Sequence, residues 1–188
     1  MSLEHAILVS LAEQSASGYD LARRFDRSLG FFWNATHQQI YRTLARMERE
    51  GLAASQVETG DGRPDRKVYA LTDHGRHELE VWTRTPSPPE LPRSLFAVKV
   101  RGMGHGDRGA VIADIRRQRD HHVEQLAYFE ANAAKHYPDP GALSADELPV
   151  YLVLRGGILT EKTYVEWCDE MLDLLAPQHD SQTTEEKS

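Results

Sequence analysis

Thr36-His-Gln-Gln-Ile-Tyr-Arg-Thr-Leu-Ala-Arg-Met-Glu-Arg-Glu-Gly51-Leu52, followed after a short polar stretch by Gly62-Arg-Pro-Asp-Arg-Lys-Val-Tyr-Ala-Leu-Thr72, is the part of this chain whose reading decides the fold. The first segment predicts a helix with a defined start and stop. Thr36 and Gln39 stand at capping-box spacing, so each side chain can satisfy an amide at the helix N-terminus. Ile40, Leu44 and Met47 follow at i, i+4, i+7 as one apolar stripe. Gly51 is placed to end the helix, because glycine takes the left-handed conformation without strain. The second segment alternates Val68 and Ala70 against Tyr69 and Leu71, behind a Gly/Pro/Asp turn that carries Arg63, Arg66 and Lys67. A helix with a polar outer face, then a β-hairpin with a basic tip, is the layout of a winged helix-turn-helix. In that layout the helix enters a major groove and the wing lies along the backbone.

The upstream sequence completes the unit. Leu3, Ile7, Leu8 and Leu11 form a first helical stripe, and Ser17-Gly-Tyr-Asp20 is a second capping box. It opens a helix carrying Leu21, Phe25 and Leu29 and closing at Gly30. Taken together, Gly18-Tyr-Asp-Leu-Ala, Gln39-Ile-Tyr-Arg-Thr-Leu, Glu50-Gly-Leu and Gly62 to Thr72 resemble the PadR family of bacterial transcription regulators over residues 1–85. The resemblance implies a DNA-binding homodimer, more often a repressor than an activator, and release from DNA by a small aromatic effector.

Charge does not advertise the DNA reading. The chain is formally at −7, yet residues 1–85 hold 11 Lys/Arg against 12 Asp/Glu, while residues 86–188 hold 11 against 17. The acidity is concentrated away from the expected DNA face, and screening acts within about 10 Å, so local sign decides phosphate contact. The single cysteine, Cys168, precludes an internal disulfide, and no apolar run of about 18 residues predicts a membrane span. A cytoplasmic protein is expected.

Thr72 reads as the N-cap of a fourth helix through Leu79 and Trp82, after which four prolines between Thr85 and Pro92 break regular structure. Two long patterns follow. Ile112, Ile115, Arg119, His122, Leu126, Phe129 and Ala133 step by threes and fours, and so do Tyr151, Leu154, Ile158, Glu161, Val165, Cys168, Leu172 and Leu175. Such alternation is a coiled-coil-like seam, and Gly156-Gly157 within the second predicts a kink or a close helix crossing. The expected organisation is mainly α with a small β-hairpin. Residues 1–85 form the winged helix-turn-helix domain and 86–107 a Pro-rich linker and connecting segment. Residues 108–176 form a long-helix dimerisation domain whose two seams meet a second subunit, and 177–188 a disordered tail. By position, helix pattern and the late Trp167, the second half resembles the helical dimerisation domain of the longer PadR-like regulators.

The expected DNA contacts are Thr36, His37, Gln38, Gln39, Tyr41 and Arg42 on the helix, with Gln38 the candidate for bidentate pairing with adenine. Arg63, Arg66 and Lys67 would neutralise phosphates or enter the minor groove of an inverted-repeat operator in double-stranded DNA. Trp82, Phe96 and Trp167 are the expected effector contacts, in a pocket between the winged and helical domains. Two other classes remain open. One is a winged-helix dimer that acts through protein contacts. The other is a nucleotide-binding enzyme using Gly104-His-Gly-Asp-Arg-Gly109, which matches G-x-G-x-x-G but needs a βαβ unit around it. No nucleophile, base and orienter stand together to predict a catalytic site, and no cofactor is expected. His74, His77, His121 and His122 read as helix-surface residues rather than metal ligands, and Cys168 reads as a small hydrophobe on the seam.

Overall fold

The structure, a computed structural model, describes residues 3–27, 35–60, 63–88 and 94–176. Leu29 and Gly30, Gly62, the prolines at 89 and 92 and the tail 177–188 lie outside the described residues. The chain divides into two units, Met1–Glu90 and Leu91–Ser188.

In the first unit the three expected helices are α1 (Leu3–Glu13), α2 (Gly18–Arg27) and α3 (His37–Arg49). Their stripes converge: Ile7, Leu8 and Leu11 from α1, Leu21 and Phe25 from α2, and Ile40, Leu44 and Met47 from α3 form one buried core. The capping box at Thr36 and Gln39 is formed in both directions. The far end of α3 closes as predicted, with Gly51 at φ 73°. The Leu52 amide donates to the Met47 carbonyl at 2.9 Å and the Gly51 amide to the Glu48 carbonyl at 3.2 Å, the paired bonds of a Schellman turn.

The wing is β2 (Ala53–Gly60) and β3 (Arg63–Leu71), antiparallel, with Ala54 opposite Ala70 and Glu58 opposite Arg66. The alternation holds: Tyr69 and Leu71 are buried against the helices, and Val68 and Ala70 are half-buried on the other face. A third strand, β1 (Ala16–Ser17), pairs with Val68 and Tyr69 on the free side of β3. Two residues leave no periodicity in a sequence, so only the structure shows it. Ser17 is thus both a strand residue and the cap of α2, accepting from the Asp20 amide at 3.2 Å.

Helix α4 (Asp73–Arg84) starts at Thr72 as expected. The Thr72 hydroxyl accepts from the Gly75 amide at 3.1 Å and donates to the Gly51 carbonyl at 2.6 Å, locking the start of α4 onto the end of α3. At Gly75 the backbones are so close that a Cβ would stand 2.1 Å from the Leu52 carbonyl oxygen.

The second unit holds α5 (Leu95–Arg101), α6 (Arg108–His136) and α7 (Glu147–Leu175). Each of the two long helices has 29 residues, about 43 Å at ~1.5 Å per residue. The two seams, expected to meet a second subunit, also meet each other. They face each other within one chain, antiparallel. Arg119 pairs with Asp169, His122 with Glu161, and Glu130 with Lys162 at 2.9 Å. Ile115, Phe129, Ile158 and Cys168 are buried along the same line. The polar seam residues His122 and Glu161 answer each other, Arg119 is met by Asp169 beside the seam, and the ten residues of 137–146 suffice for the return. A heptad-like stripe states that a partner exists and leaves open whether that partner is the same chain. α7 runs unbroken through Gly156 and Gly157, with Gly157 buried.

Phe96, Val100 and Met103, in the segment expected to connect the domains, pack with Ile115, Cys168 and Met171. Burial first, and the adjacent Asp169 carboxylate second, push the Cys168 thiol up, which suits an inert buried group.

Candidate nucleic-acid interface

The core stripe fixes which way α3 faces. With Ile40, Leu44 and Met47 inward, His37, Gln38, Tyr41 and Arg42 emerge on the exposed side of the first turns. Of the expected contacts, Thr36 and Gln39 are drawn into the cap: Thr36 Oγ1 accepts from the Gln39 amide at 3.2 Å and Gln39 Oε1 from the Thr36 amide at 2.8 Å. That cap orders the turn that carries Gln38.

Tyr41 is held by a residue that sequence reasoning passed over. Its ring lies over Gly18, where a Cβ would come within 2.3 Å of Tyr41 Cε1, while 49% of the tyrosine stays exposed. The glycine opens α2 at the close approach of the two helices and gives the ring a platform. A glycine just behind a serine cap was the available signal.

The backbone of Arg63 begins β3, and its side chain lies outside the described residues. Arg66 bridges two carboxylates, Asp20 at 3.0 Å and Glu58 at 3.2 Å, and so ties the wing to the start of α2. The Ser17 hydroxyl foremost, and then Arg66, hold the Asp20 carboxyl below its ordinary range. Lys67 reaches Glu48 at 2.7 Å and lies 5.1 Å from the Tyr69 ring. Hydrogen bonds from Lys67 and Ser55 lower Glu48, and the Glu48 bond raises Lys67. Glu48 stands ten residues beyond Gln38 on α3, about 15 Å along the axis at ~1.5 Å per residue. Lys67 therefore stands midway along the wing and reaches the far end of α3, not the helix turn that carries Gln38. Arg46 similarly pairs with Glu4 of α1 at 2.6 Å.

Lys67→Met should accordingly leave the slope of log affinity against log salt for DNA unchanged. A loss of about one unit per subunit, the signature of a lost phosphate contact, would return Lys67 to the DNA face.

The three expected effector residues are divided between the two units. In the first unit Trp82 stacks on His5, with centroids 4.7 Å apart. In the second unit Phe96 and Trp167 meet edge to face at 5.5 Å. The glycine loop departs from a nucleotide site. The apolar stretch before it is α5, a helix rather than a strand, and Met103–His105 is a 3₁₀ turn. Asp107 already caps α6, accepting from the Ala110 amide at 2.9 Å where a phosphate would have to sit. Among the described residues the sheet is antiparallel throughout, so no βαβ unit surrounds the loop.

A helix-turn-helix whose second helix bares its first turns, flanked by a two-stranded wing, defines the winged-helix class of transcription regulators. Comparison with known proteins narrows this. Residues 7–81 match the family described as transcriptional regulator PadR-like, and residues 92–176 match the family described as virulence activator alpha C-term. A probable transcriptional regulator of Mycobacterium tuberculosis is 46% identical over 185 residues, 93% of this chain and 98% of that protein. The Bacillus subtilis PadR structure in complex with operator DNA aligns with a TM-score of 0.81 at 30% identity, covering 92% of this chain and 98% of that one. The same protein in complex with p-coumaric acid aligns at 0.75 with 30% identity, covering 93% and 99%. The Vibrio cholerae virulence activator AphA aligns at 0.77 with 29% identity, covering 93% and 98%. The chain belongs to the PadR-like family of transcriptional regulators.

Proposed function

We propose that this regulator is a cytoplasmic homodimeric repressor that reads an inverted-repeat operator and blocks polymerase there, with residues 1–85 as the DNA-binding part. The observation that carries this reading is the exposed first face of α3. There His37, Gln38, Tyr41 and Arg42 are presented together by a formed capping box and a core that fixes the helix's rotation. Gln38 is the base reader, and Arg42 and Tyr41 contact backbone phosphate. Arg63 serves the wing, and Arg66 holds the wing to α2 as much as it offers charge to DNA. The Bacillus subtilis relative described as a negative transcriptional regulator supports repression, and its operator complex supports the DNA partner. Its complex with p-coumaric acid supports release by a small aromatic effector.

The seams pair within one chain but leave Leu126, Tyr151, Leu154 and Val165 only half-buried, so a second copy has more than one apolar surface to cover. The outer face of α7 is the one we assign, because Leu148, Leu152 and Leu159 are all exposed there at helical spacing. The reading is tested with duplex DNA from upstream of the regulator's own gene. Light scattering should give twice 21.3 kDa, and binding should need two half-sites about 34–36 Å apart or a multiple of that. Equal affinity for the native repeat and for one with a scrambled half-site would instead favour action through protein contacts.

A further inference from the structure

Successive residues of a strand point to opposite faces, so Arg66 and Lys67 leave β3 on opposite sides of the wing. Each finds carboxylate. On the side of the helices, Lys67 reaches Glu48 at 2.7 Å. On the other side Arg66 is forked, with Nη1 on Asp20 of α2 at 3.0 Å and Nη2 on Glu58 of β2 at 3.2 Å. With Arg63 and Asp65 of the same hairpin, this part of the molecule holds three cations and four carboxylates. Arg42 on α3 differs, since no carboxylate meets it among the described residues. The charge of the reading helix is free where the charge of the wing is answered.

The two carboxylates on Arg66 are not alike. Asp20 also accepts from the Ser17 hydroxyl at 2.7 Å, within the cap of α2, so the start of that helix accounts for it. Glu58 stands directly opposite Arg66 in the register of β2 and β3. Among the described residues Arg66 is its single partner. The two side chains are 58% and 54% exposed, and an ion pair that open adds at most about 1 kcal/mol to stability. Stability therefore gives little reason for a carboxylate at this position. Its effect on nucleic acid is direct: it offers Arg66 the oxygens that a phosphate would offer, and it repels the phosphate itself.

That effect differs between DNA sequences. Sequence-independent affinity is almost wholly electrostatic. On random DNA no base contact fixes the register, so a freed cation settles on the nearest phosphate. On an operator the base contacts of α3 fix the register, and the wing takes the distance they leave it.

We propose that Glu58 is a specificity-determining residue, which keeps the charge of Arg66 from random DNA and so leaves the choice of site to α3. This rests on the operator reading above, and adds to it a residue that acts by withholding a contact.

The test is fluorescence anisotropy of the full chain on the upstream duplex and on a random duplex of equal length, across a salt series. The native chain is compared with Glu58→Gln, Arg66→Met and the double variant, and thermal melting checks that all four fold alike. Glu58→Gln should bind random DNA roughly tenfold more tightly at low salt, and its salt slope there should steepen by about one unit per subunit. It should gain less on the upstream duplex, so the ratio of operator to random affinity falls. In the Arg66→Met background the same substitution should leave the slope on random DNA unchanged, because no cation is freed. A slope indifferent to Glu58→Gln alone would overturn the proposal. So would a steeper slope that persists without Arg66, which would reduce Glu58 to plain repulsion, and so would a ratio that holds or rises. Equal affinity of the native chain for the two duplexes would remove the operator reading and the proposal with it, whatever the variants did.

Discussion

Gly75→Ala is expected to destabilise the winged domain by about 3 kcal/mol, the upper part of the overpacking range. The added methyl would stand 2.1 Å from the Leu52 carbonyl oxygen and 3.1 Å from a Leu71 methyl. Neither neighbour has room to yield. The Leu52 carbonyl accepts from the Thr72 amide at 3.2 Å, and Leu71 belongs to the core. Relief requires α4 to move off the end of α3, which breaks the Thr72 bonds to Gly51 and Gly75 together. In thermal unfolding a loss of that size lowers the midpoint of a small domain by roughly 10–20 °C. Gly156→Ala gives the opposite sign. A Cβ there meets nothing within 4 Å, and the position is exposed in the middle of α7. It should stabilise the helix by about 0.5–1 kcal/mol within one chain, and a loss instead would mark the face shared with Leu152 and Leu159 as packed against the second copy. Equal melting of Gly75→Ala and the native chain would show that the contact at Leu52 is not as tight as described.

Gln38→Ala should have the largest effect on recognition, about 1–3 kcal/mol on the operator and little on random DNA, because a bidentate base contact carries discrimination and no charge. Arg63→Ala should weaken both DNAs alike and reduce the salt slope by about one unit per subunit. Gln39→Ala separates cap from reader. It removes the side chain that accepts from the Thr36 amide, so it should lower stability by about 1 kcal/mol and keep the operator-to-random ratio. The decisive measurement is that ratio across the three variants in one salt series. A ratio that collapses for Arg63→Ala and survives Gln38→Ala would make the wing the reader and displace α3 from that role.

These assignments differ in where they were visible. Local chemistry in the sequence by itself determined the start and stop of α3, the start of α4, the alternation of the wing and the family. Caps, the left-handed Gly51 and period-two burial are properties of a few adjacent residues, so spacing alone reveals them. It also set the rotation of α3, since Ile40, Leu44 and Met47 could face only the core, and with that the exposure of Gln38, Tyr41 and Arg42. What only the tertiary structure decided are the contacts between residues far apart in the chain. Arg66 finds Asp20, 46 residues away, and Lys67 finds Glu48, 19 away, so two cations that the sequence offered to DNA are answered by carboxylates. Gly18 and Gly75 read as ordinary glycines until another segment is seen pressed against each. The seams of α6 and α7 state the same limit most clearly: apolar periodicity fixes which face of a helix must be covered, but the covering partner is chosen by the path of the whole chain.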